Sequence, residues 1–416
     1  MCRSLKELGF KQIDYYSTKK KQNIDTVPST LSAPITRDKE ELVENAESIW
    51  GILGVDECNK YLILDEITKK QANSYEKNIE NFIGTIKVPV GLIGPLRING
   101  IYAQGDYYLP LATTEGALVA SYNRGSKVIS ESGGCNTLIV REAISRTPGF
   151  IFENVMESNQ FVNWVVSQMD TFQEIGEKTT RYGKLIHVDA KIDGDYVILI
   201  FEYTTGDAAG QNMVTVATQA ILEYIIKNSP IEPRHYFIET NLSNDKKASF
   251  KSLSNVRGKK VCADVTIKSH LVKEYLNTTP EKLMELWKIG LSGAAISGTI
   301  GTQAHVANGL AAFYLATGND VACVSESSIG LSRLNLTETG DLYASITLPN
   351  IVIGSVGGGT GLPSQRAALN IIDSSDKISA HQLAEMCAAL SLAGELSIAA
   401  AIAANQFTDA HQRLGR

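Results

Sequence analysis

Cysteine is sparse in this chain. The six thiols (Cys2, Cys58, Cys135, Cys262, Cys323, Cys387) are scattered through 416 residues without a CxxC spacing. That argues against a disulfide-built secreted fold and for reduced thiols in a cytoplasmic protein. The six histidines (His187, His235, His270, His305, His381, His411) form no HxH, HxxH or HExxH set, so no metal centre is expected. Neither a Rossmann GxGxxG turn nor a GxxxxGK[ST] phosphate loop is present. Charge of one sign is also lacking: 39 basic against 45 acidic residues leaves −6, which offers no broad cationic face to a nucleic acid. The basic stretch Met1 to Lys21 has no continuous apolar segment and no small-residue cleavage site, so no export is expected. Charge disappears altogether from Ile289 to Asn319, a length that could cross a bilayer. Gly290, Ser292, Gly293, Ser297, Thr299, Gln303 and Asn308 nevertheless place small and hydrogen-bonding groups throughout it, which suits close packing in a soluble protein.

What remains is an ordinary globular balance, 44% hydrophobic against 20% charged, long enough for two or three domains. Residues 1–82 read as a polar, lysine-rich arm followed by a helical unit whose first helix carries Leu42, Ala46, Ile49 and Leu53. Glycine and proline between Ile83 and Leu109 predict short strands and turns, and a helix follows over Gly116 to Ser130. Residues 148–237 have their own logic. A helical run from Phe161 to Phe172 precedes two strands, Leu185–Ile192 and Tyr196–Tyr203, joined through Asp193-Gly194-Asp195, a hairpin signal. A helix with Ala217, Ile221 and Ile225 on one face and a strand at His235–Glu239 follow. The economical reading is a small helix-plus-sheet domain inserted into a larger one formed by 83–147 and 248–416, with 238–247 as a connecting loop. The part after Leu253 reads as mostly small-residue helices, interrupted by glycines at 354–361.

Several stretches could carry chemistry. Glu115 stands among apolar and small residues at a helix start, where a desolvated carboxyl group could deliver a proton at neutral pH; stabilisation by the helix dipole is the plainer alternative. Asn244-Asp245-Lys246-Lys247 is either a solvated charge cluster or the source of an ammonium that stabilises an oxyanion. Asp320, after Gly318-Asn319, reads by itself as a turn residue. Gly206-Asp207-Ala208-Ala209-Gly210-Gln211-Asn212 precedes an amphipathic helix and could present backbone N–H groups to an anion, although capping by Asp207 would explain much of it.

Taken together and in order, these segments resemble the 3-hydroxy-3-methylglutaryl-CoA reductases. Glu80-Asn81-Phe82-Ile83-Gly84 with Val88-Pro89-Val90-Gly91-Leu92-Ile93-Gly94-Pro95-Leu96 is similar to that family's dimerisation segment. Thr113-Thr114-Glu115-Gly116, Asp245-Lys246-Lys247, Gly318-Asn319-Asp320, Val356-Gly357-Gly358-Gly359-Thr360, and Leu392-Ala393-Gly394-Glu395-Leu396 leading to His411 follow in family order. The likeness spans roughly Ile49 to His411.

The resemblance implies reduction of a thioester to an alcohol by two hydrides from NADPH, without a metal. Glu115 would protonate the carbonyl oxygen, Lys246 would stabilise the oxyanion, Asp320 would sit between them, and His411 would protonate the departing CoA thiolate. Arg146, Asp245, Lys247, Lys288 and Asn308 would hold the substrate's acyl end. Ser121, Asn123, Arg124 and His305 would meet CoA. Thr180 and Arg181 match the family pair that meets the 2′-phosphate of NADPH, and Asp207, Ala209, Gly210, Gln211, Asn212, Gly358 and Gly359 would complete the cofactor site. The implied fold is α/β (α+β), not Rossmann: a large domain around a central helix, with a ferredoxin-like NADP-binding insert at 148–237 and a substrate loop at 238–247. A non-proline cis peptide is implied at Ser243-Asn244. The implied assembly is a homodimer or homotetramer with the active site between subunits. A soluble, cytoplasmic, bacterial-type enzyme without the animal enzymes' regulatory phosphoserine is also implied. Two residues depart from the family pattern: Cys323 replaces a glutamine, and Glu239 replaces a serine in the substrate loop. The rivals are a CoA-thioester hydrolase or transferase, and a catalytically silent binding protein on the same fold.

Overall fold

The computed structural model describes residues 39–408 except 376, and these divide into two compact units between Thr85 and Ile86. The first contains α1 (Lys39–Leu53), α2 (Glu57–Ile63) and α3 (Glu66–Lys70). Asp56 and Asp65 cap the second and third helices by accepting the backbone N–H groups of Cys58 and Thr68. Leu42, Ala46 and Trp50, four residues apart on α1, close a small core with Leu64, Ala72 and Phe82. Leu53, expected on the same face, is exposed.

The second unit begins with an antiparallel pair, β1 (Val90–Gly100) and β2 (Gln104–Ala112), followed by α4 (Leu118–Glu131) and β3 (Cys135–Arg146). Next come β4 (Gly149–Ile151), α5 (Val155–Val166), α6 (Met169–Lys178), β5 (Lys184–Asp193), β6 (Tyr196–Thr204), α7 (Gln211–Asn228) and β7 (His235–Phe237). Then follow α8 (Lys251–Ser254), β8 (Gly258–Ile267), α9 (Ser269–Leu276), α10 (Pro280–Ser297) and α11 (Val306–Thr317). The last described elements are α12 (Val324–Ser327), β9 (Leu331–Leu336), β10 (Leu342–Ile351), α13 (Pro363–Ile372) and α14 (Ala380–Ala403).

The architecture is mixed α/β around one ten-stranded sheet, ordered β7-β4-β6-β3-β8-β10-β9, with β1 beside β3, β2 beside β1 and β5 beside β6. Among the strands named here only β1 and β3 pair in parallel. Strand β3 serves both halves of the sheet: Asn136–Ala143 pairs with β8, and Ile144–Arg146 with β6. The Asp193-Gly194-Asp195 hairpin forms between β5 and β6, with Gly194 at φ 63 where a side chain would be strained.

One expectation is corrected and another is refined. The helical run from Phe161 to Phe172 breaks at Ser167–Gln168 into α5 and α6. The region after Leu253 is mostly helical, as expected, but its helices are interrupted by the strands β8, β9 and β10 as well as by the glycine segment. In β8, buried Val261, Ala263, Val265 and Ile267 alternate with less buried Lys260, Cys262, Asp264 and Thr266, the period-two pattern of a strand.

Helix α14 is buried along most of its length, as expected of a helix apolar all round. Among the described residues it is the one helix long and apolar enough to cross a membrane, and 78% of that window is buried inside the fold. Its N-terminus carries a capping box between Ser379 and Gln382. Two buried glutamates on it organise backbone elsewhere. Glu385 accepts the N–H groups of Ile101, Tyr102 and Ala103 in the β1–β2 turn. Glu395 accepts those of Ala304 and His305 at 2.7 and 2.8 Å, satisfying donors at the start of α11. Close approach of α4 to α14 requires Gly125, since a Cβ there would collide with the Ala393 carbonyl oxygen.

Candidate active site

Three segments far apart in sequence supply the charged groups. The first, Thr113–Ala117, runs into α4. Thr113 Oγ1 accepts the Glu115 backbone N–H at 3.0 Å, and Ala117 at φ 67 turns the chain into the helix. Asn308, in the first turn of α11, donates from Nδ2 to both Glu115 oxygens at 3.1 Å. Glu115 itself is exposed, so the single chain does not supply the desolvation expected of it.

The second segment is the loop after β7, and the third is the turn after α11. Lys246 Nζ meets Asp320 Oδ2 at 2.8 Å, with both side chains a little over two-fifths exposed. The hydrogen bond to Asp320 holds the Lys246 ammonium above its usual pKa. Asp320 is also a turn residue, its Oδ1 accepting the Ala322 N–H at 3.0 Å. The turn is backed by glycine: a Cβ on Gly318 would strike the Gly359 carbonyl, which places the 357–361 glycine run directly against Gly318-Asn319-Asp320. Asn319 ties the same regions together by accepting the Gly354 N–H at 2.8 Å.

Glu115, Asn308, Val321, Val324, Ser325 and Ser328 line one cleft of about 740 Å³. Glu115 thus shares a cleft with Val321, the residue after Asp320. No hydrogen bond links Glu115 to Asp320; its recorded partner is Asn308.

Beneath the loop lies a buried ionic network. Arg257, about 2% exposed, donates to Asp245 Oδ1 at 2.7 Å and to the Ser145 carbonyl at 2.9 Å, with its Nε 3.6 Å from Glu326 Oε1. Glu326 accepts the backbone N–H of Lys246 at 3.2 Å, and burial pushes its carboxyl pKa up to about 7. Gln211, at the start of α7, donates to Asp245 Oδ1 at 3.1 Å and to Cys323 Sγ at 3.0 Å. Burial pushes the Cys323 thiol far up, so it stays protonated. Arg146 Nη1 donates to Glu239 Oε2 at 2.9 Å and lies 3.7 Å from Asp245 Oδ2. Lys247 is exposed, its Nζ donating to the Asp245 carbonyl at 2.8 Å. Arg257 and Glu326 are absent from the candidates named from sequence, because nothing in their local pattern marks partners that lie 12 to 112 residues away.

The Ser243–Asn244 peptide is not cis. The only cis bond among the described residues is Gly94–Pro95. The loop turns instead through positive φ at Asn241, Asn244 and Lys246 (65, 66 and 56°), left-handed backbone that asparagine tolerates better than most residues.

The remaining candidates are distributed as follows. Lys288 pairs with Glu285 on the exposed side of α10 and has no hydrogen bond or ion pair to the loop groups. Ser121 and Arg124 bond to Ser397 of α14, Asn123 accepts the Gly94 N–H, and His305 Nε2 lies 2.8 Å from the Gly394 carbonyl. Thr180 Oγ1 accepts the N–H groups of Tyr182 and Gly183, and Arg181 beside it is exposed with no ion-pair partner among the described residues. Asp207 does not cap α7; its Oδ1 accepts the Ala380 N–H at 2.8 Å, and its carbonyl receives the Ser355 N–H. That leaves Gly210, at φ 86, opening α7 without a side-chain cap, beside Ala209, Gln211 and Asn212. Gly358 and Gly359 lie in a short turn whose Gly359 packs against Gly318. His411 lies outside the described residues. Among those residues no group of three or more His, Cys, Asp or Glu side chains could hold a metal ion.

The sequence model of the family described as hydroxymethylglutaryl-coenzyme A reductase matches residues 55–416. The chain is 43% identical over 347 residues to the 3-hydroxy-3-methylglutaryl-coenzyme A reductase of Pyrococcus horikoshii, covering 82% of this chain and 84% of that one. It is 41% identical over 342 residues to the enzyme of the same name from Methanothermobacter thermautotrophicus, covering 82% and 85%. In fold it is similar to the class II 3-hydroxy-3-methylglutaryl-CoA reductase from Streptococcus pneumoniae bound to NADPH. The TM-score there is 0.64 at 17% identity, over 86% of this chain and 96% of that one. With a matching model over most of its length and relatives above 40% identity, the chain belongs to the hydroxymethylglutaryl-coenzyme A reductase family.

Proposed function

We propose that this protein reduces 3-hydroxy-3-methylglutaryl-CoA to mevalonate and CoA with two NADPH, using Glu115, Lys246, Asp320 and His411. The observation that carries the site assignment is the Lys246–Asp320 pair at 2.8 Å, beside the cleft that Glu115 lines. An ammonium held charged by a carboxylate neutralises an oxygen that gains negative charge as the acyl carbon is reduced. Glu115, oriented by Asn308, donates the proton that converts that oxygen to a hydroxyl. His411 protonates the CoA thiolate and keeps it from re-adding to the aldehyde. Arg146, Asp245 and Lys247, with Lys288 and Asn308, hold the acyl end of the substrate. Ser121, Asn123, Arg124 and His305 face CoA.

The nicotinamide supplies the hydrides. The residues present fit it: Arg181 is an exposed cation beside the Thr180 turn, suited to a 2′-phosphate, and the N-terminus of the 18-residue α7 has no side-chain cap. Asp207, Ala209, Gly210, Gln211 and Asn212 shape that end, with Gly358 and Gly359 on the Asp320 side. We read 148–237 as an inserted ferredoxin-like domain that carries NADPH. Supporting this, its elements run β4-(α5,α6)-β5-β6-α7-β7 with the strands ordered β7-β4-β6-β5. Half-exposed catalytic groups, and Ile289 and Ile296 exposed on the glycine-containing α10, support a homodimer or homotetramer whose subunits close the site between them. Burial of α14 in the core supports a cytoplasmic rather than a membrane-bound enzyme.

The test is stoichiometry with 3-hydroxy-3-methylglutaryl-CoA. Two NADPH oxidised per thiol released is the expected result. Thiol release without loss of nicotinamide absorbance selects a hydrolase, and neither change selects a silent binding protein.

A further inference from the structure

Arg146, at the C-terminal end of β3, points its guanidinium into the loop after β7, and its side chain is about 9% exposed. Its charge is already taken. Nη1 donates to Glu239 Oε2 at 2.9 Å and stands 3.7 Å from Asp245 Oδ2, while Nη2 leans on the Gln211 carbonyl at 3.5 Å. Glu239 is itself held: its other oxygen accepts Thr147 Oγ1 at 2.8 Å and the Thr240 N–H at 3.0 Å. Burial pushes its carboxyl pKa up, yet the hydrogen bonds from Thr147 and Arg146 outweigh that and keep it below the ordinary value, so it is ionised at neutral pH.

The neighbouring cations are spent in the same way. Lys246 pairs with Asp320, and Arg257 with Asp245. Lys247 and Lys251 each donate to a backbone carbonyl of this loop, and neither has a carboxylate partner among the described residues. A carboxylate arriving at this loop therefore meets two lysines without carboxylate partners, and at Arg146 an internal carboxylate already seated on the guanidinium.

We propose that Glu239 is a specificity-determining residue that competes with the free carboxylate of the substrate for Arg146. This rests on the reading that Arg146 faces the acyl end of the thioester. A substrate with a distal carboxylate must displace Glu239 or share its guanidinium, and two carboxylates brought together repel. A thioester ending in a neutral group pays neither penalty. The chain consequently discriminates less between 3-hydroxy-3-methylglutaryl-CoA and the neutral-ended 3-hydroxy-3-methylbutyryl-CoA than it would with an uncharged residue at 239.

Two substitutions test this. Glu239→Gln keeps the size and the Thr147 contact, and Glu239→Ser removes the side chain. Each is measured for KM and kcat with both thioesters, and for binding of free 3-hydroxy-3-methylglutarate by calorimetry, with far-UV circular dichroism to verify folding. Freeing one charge-assisted contact should lower KM for the dicarboxyl-derived thioester and Kd for the free acid by about tenfold, with kcat little changed. The neutral-ended thioester should not benefit, and Arg146→Ala added to Glu239→Ser should erase the gain. Unchanged or weaker binding of the free acid in folded Glu239→Gln overturns the proposal. The calorimetric arm needs no turnover. Tighter acid binding by the variants, in a protein that reduces neither thioester, would therefore uphold the competition while refuting the proposed activity.

Discussion

Buried Glu326 in α12 accepts a hydrogen bond from the backbone N–H of Lys246 at 3.2 Å, joining residues 80 apart. Lys246 has φ 56, a left-handed conformation that costs a non-glycine residue about 1–2 kcal/mol. The buried carboxyl group offsets that by fixing the backbone from which the ammonium reaches Asp320. It is faced by Arg257 from the segment before β8, by Asp245 and Lys246 from the loop, and by Cys323 from the turn after Asp320.

Glu326 should make stability depend on pH. Its pKa rises from 4.5 to about 7 on folding, so the folded state binds this proton more tightly than the unfolded chain. The associated stabilisation is complete below pH 4.5 and is lost as pH rises through about 7. In denaturant unfolding at pH 5 and pH 8, the wild type should lose more stability than Glu326→Gln over that interval. Equal losses would show that the group does not titrate there.

Packing of α4 on α14 gives a second prediction. A methyl group added at Gly125 would strike the Ala393 backbone, which cannot swing aside as a side-chain tip can. Gly125→Ala should destabilise the protein by about 2–3 kcal/mol, read as a lower denaturation midpoint with unchanged m-value. A midpoint within error of wild type would mean the helices separate without cost.

Cofactor choice gives a third. Arg181→Ala removes an exposed cation without an ion-pair partner among the described residues, so the fold should be unaffected. The KM for NADPH should rise on the order of tenfold or more while that for NADH stays nearly constant, since only the former carries the extra phosphate. Parallel changes for both nicotinamides would place the 2′-phosphate elsewhere.

Local signals in the sequence were sufficient for some elements. The β5–β6 hairpin follows from Asp193-Gly194-Asp195 between two apolar runs, and α1 from Leu42 and Ala46 at helical spacing. Strands β8 to β10 are hidden in the sequence between the small-residue helices that flank them, although β8 carries the alternation of a half-buried strand. The charged site was legible only through family likeness. Lys246 and Asp320 are 74 positions apart and no spacing predicts their contact, while Arg257 and Glu326 are recognisable only from their burial. Glu115 shows the reverse: an apolar neighbourhood in sequence, but an exposed carboxylate whose partner is Asn308.

The most direct test is the turnover of Lys246→Ala, measured as NADPH oxidation with saturating 3-hydroxy-3-methylglutaryl-CoA and accompanied by far-UV circular dichroism. If this ammonium neutralises the developing oxyanion, the variant keeps its fold and loses roughly 100- to 1,000-fold or more in kcat. A folded variant turning over near the wild-type rate would contradict the account.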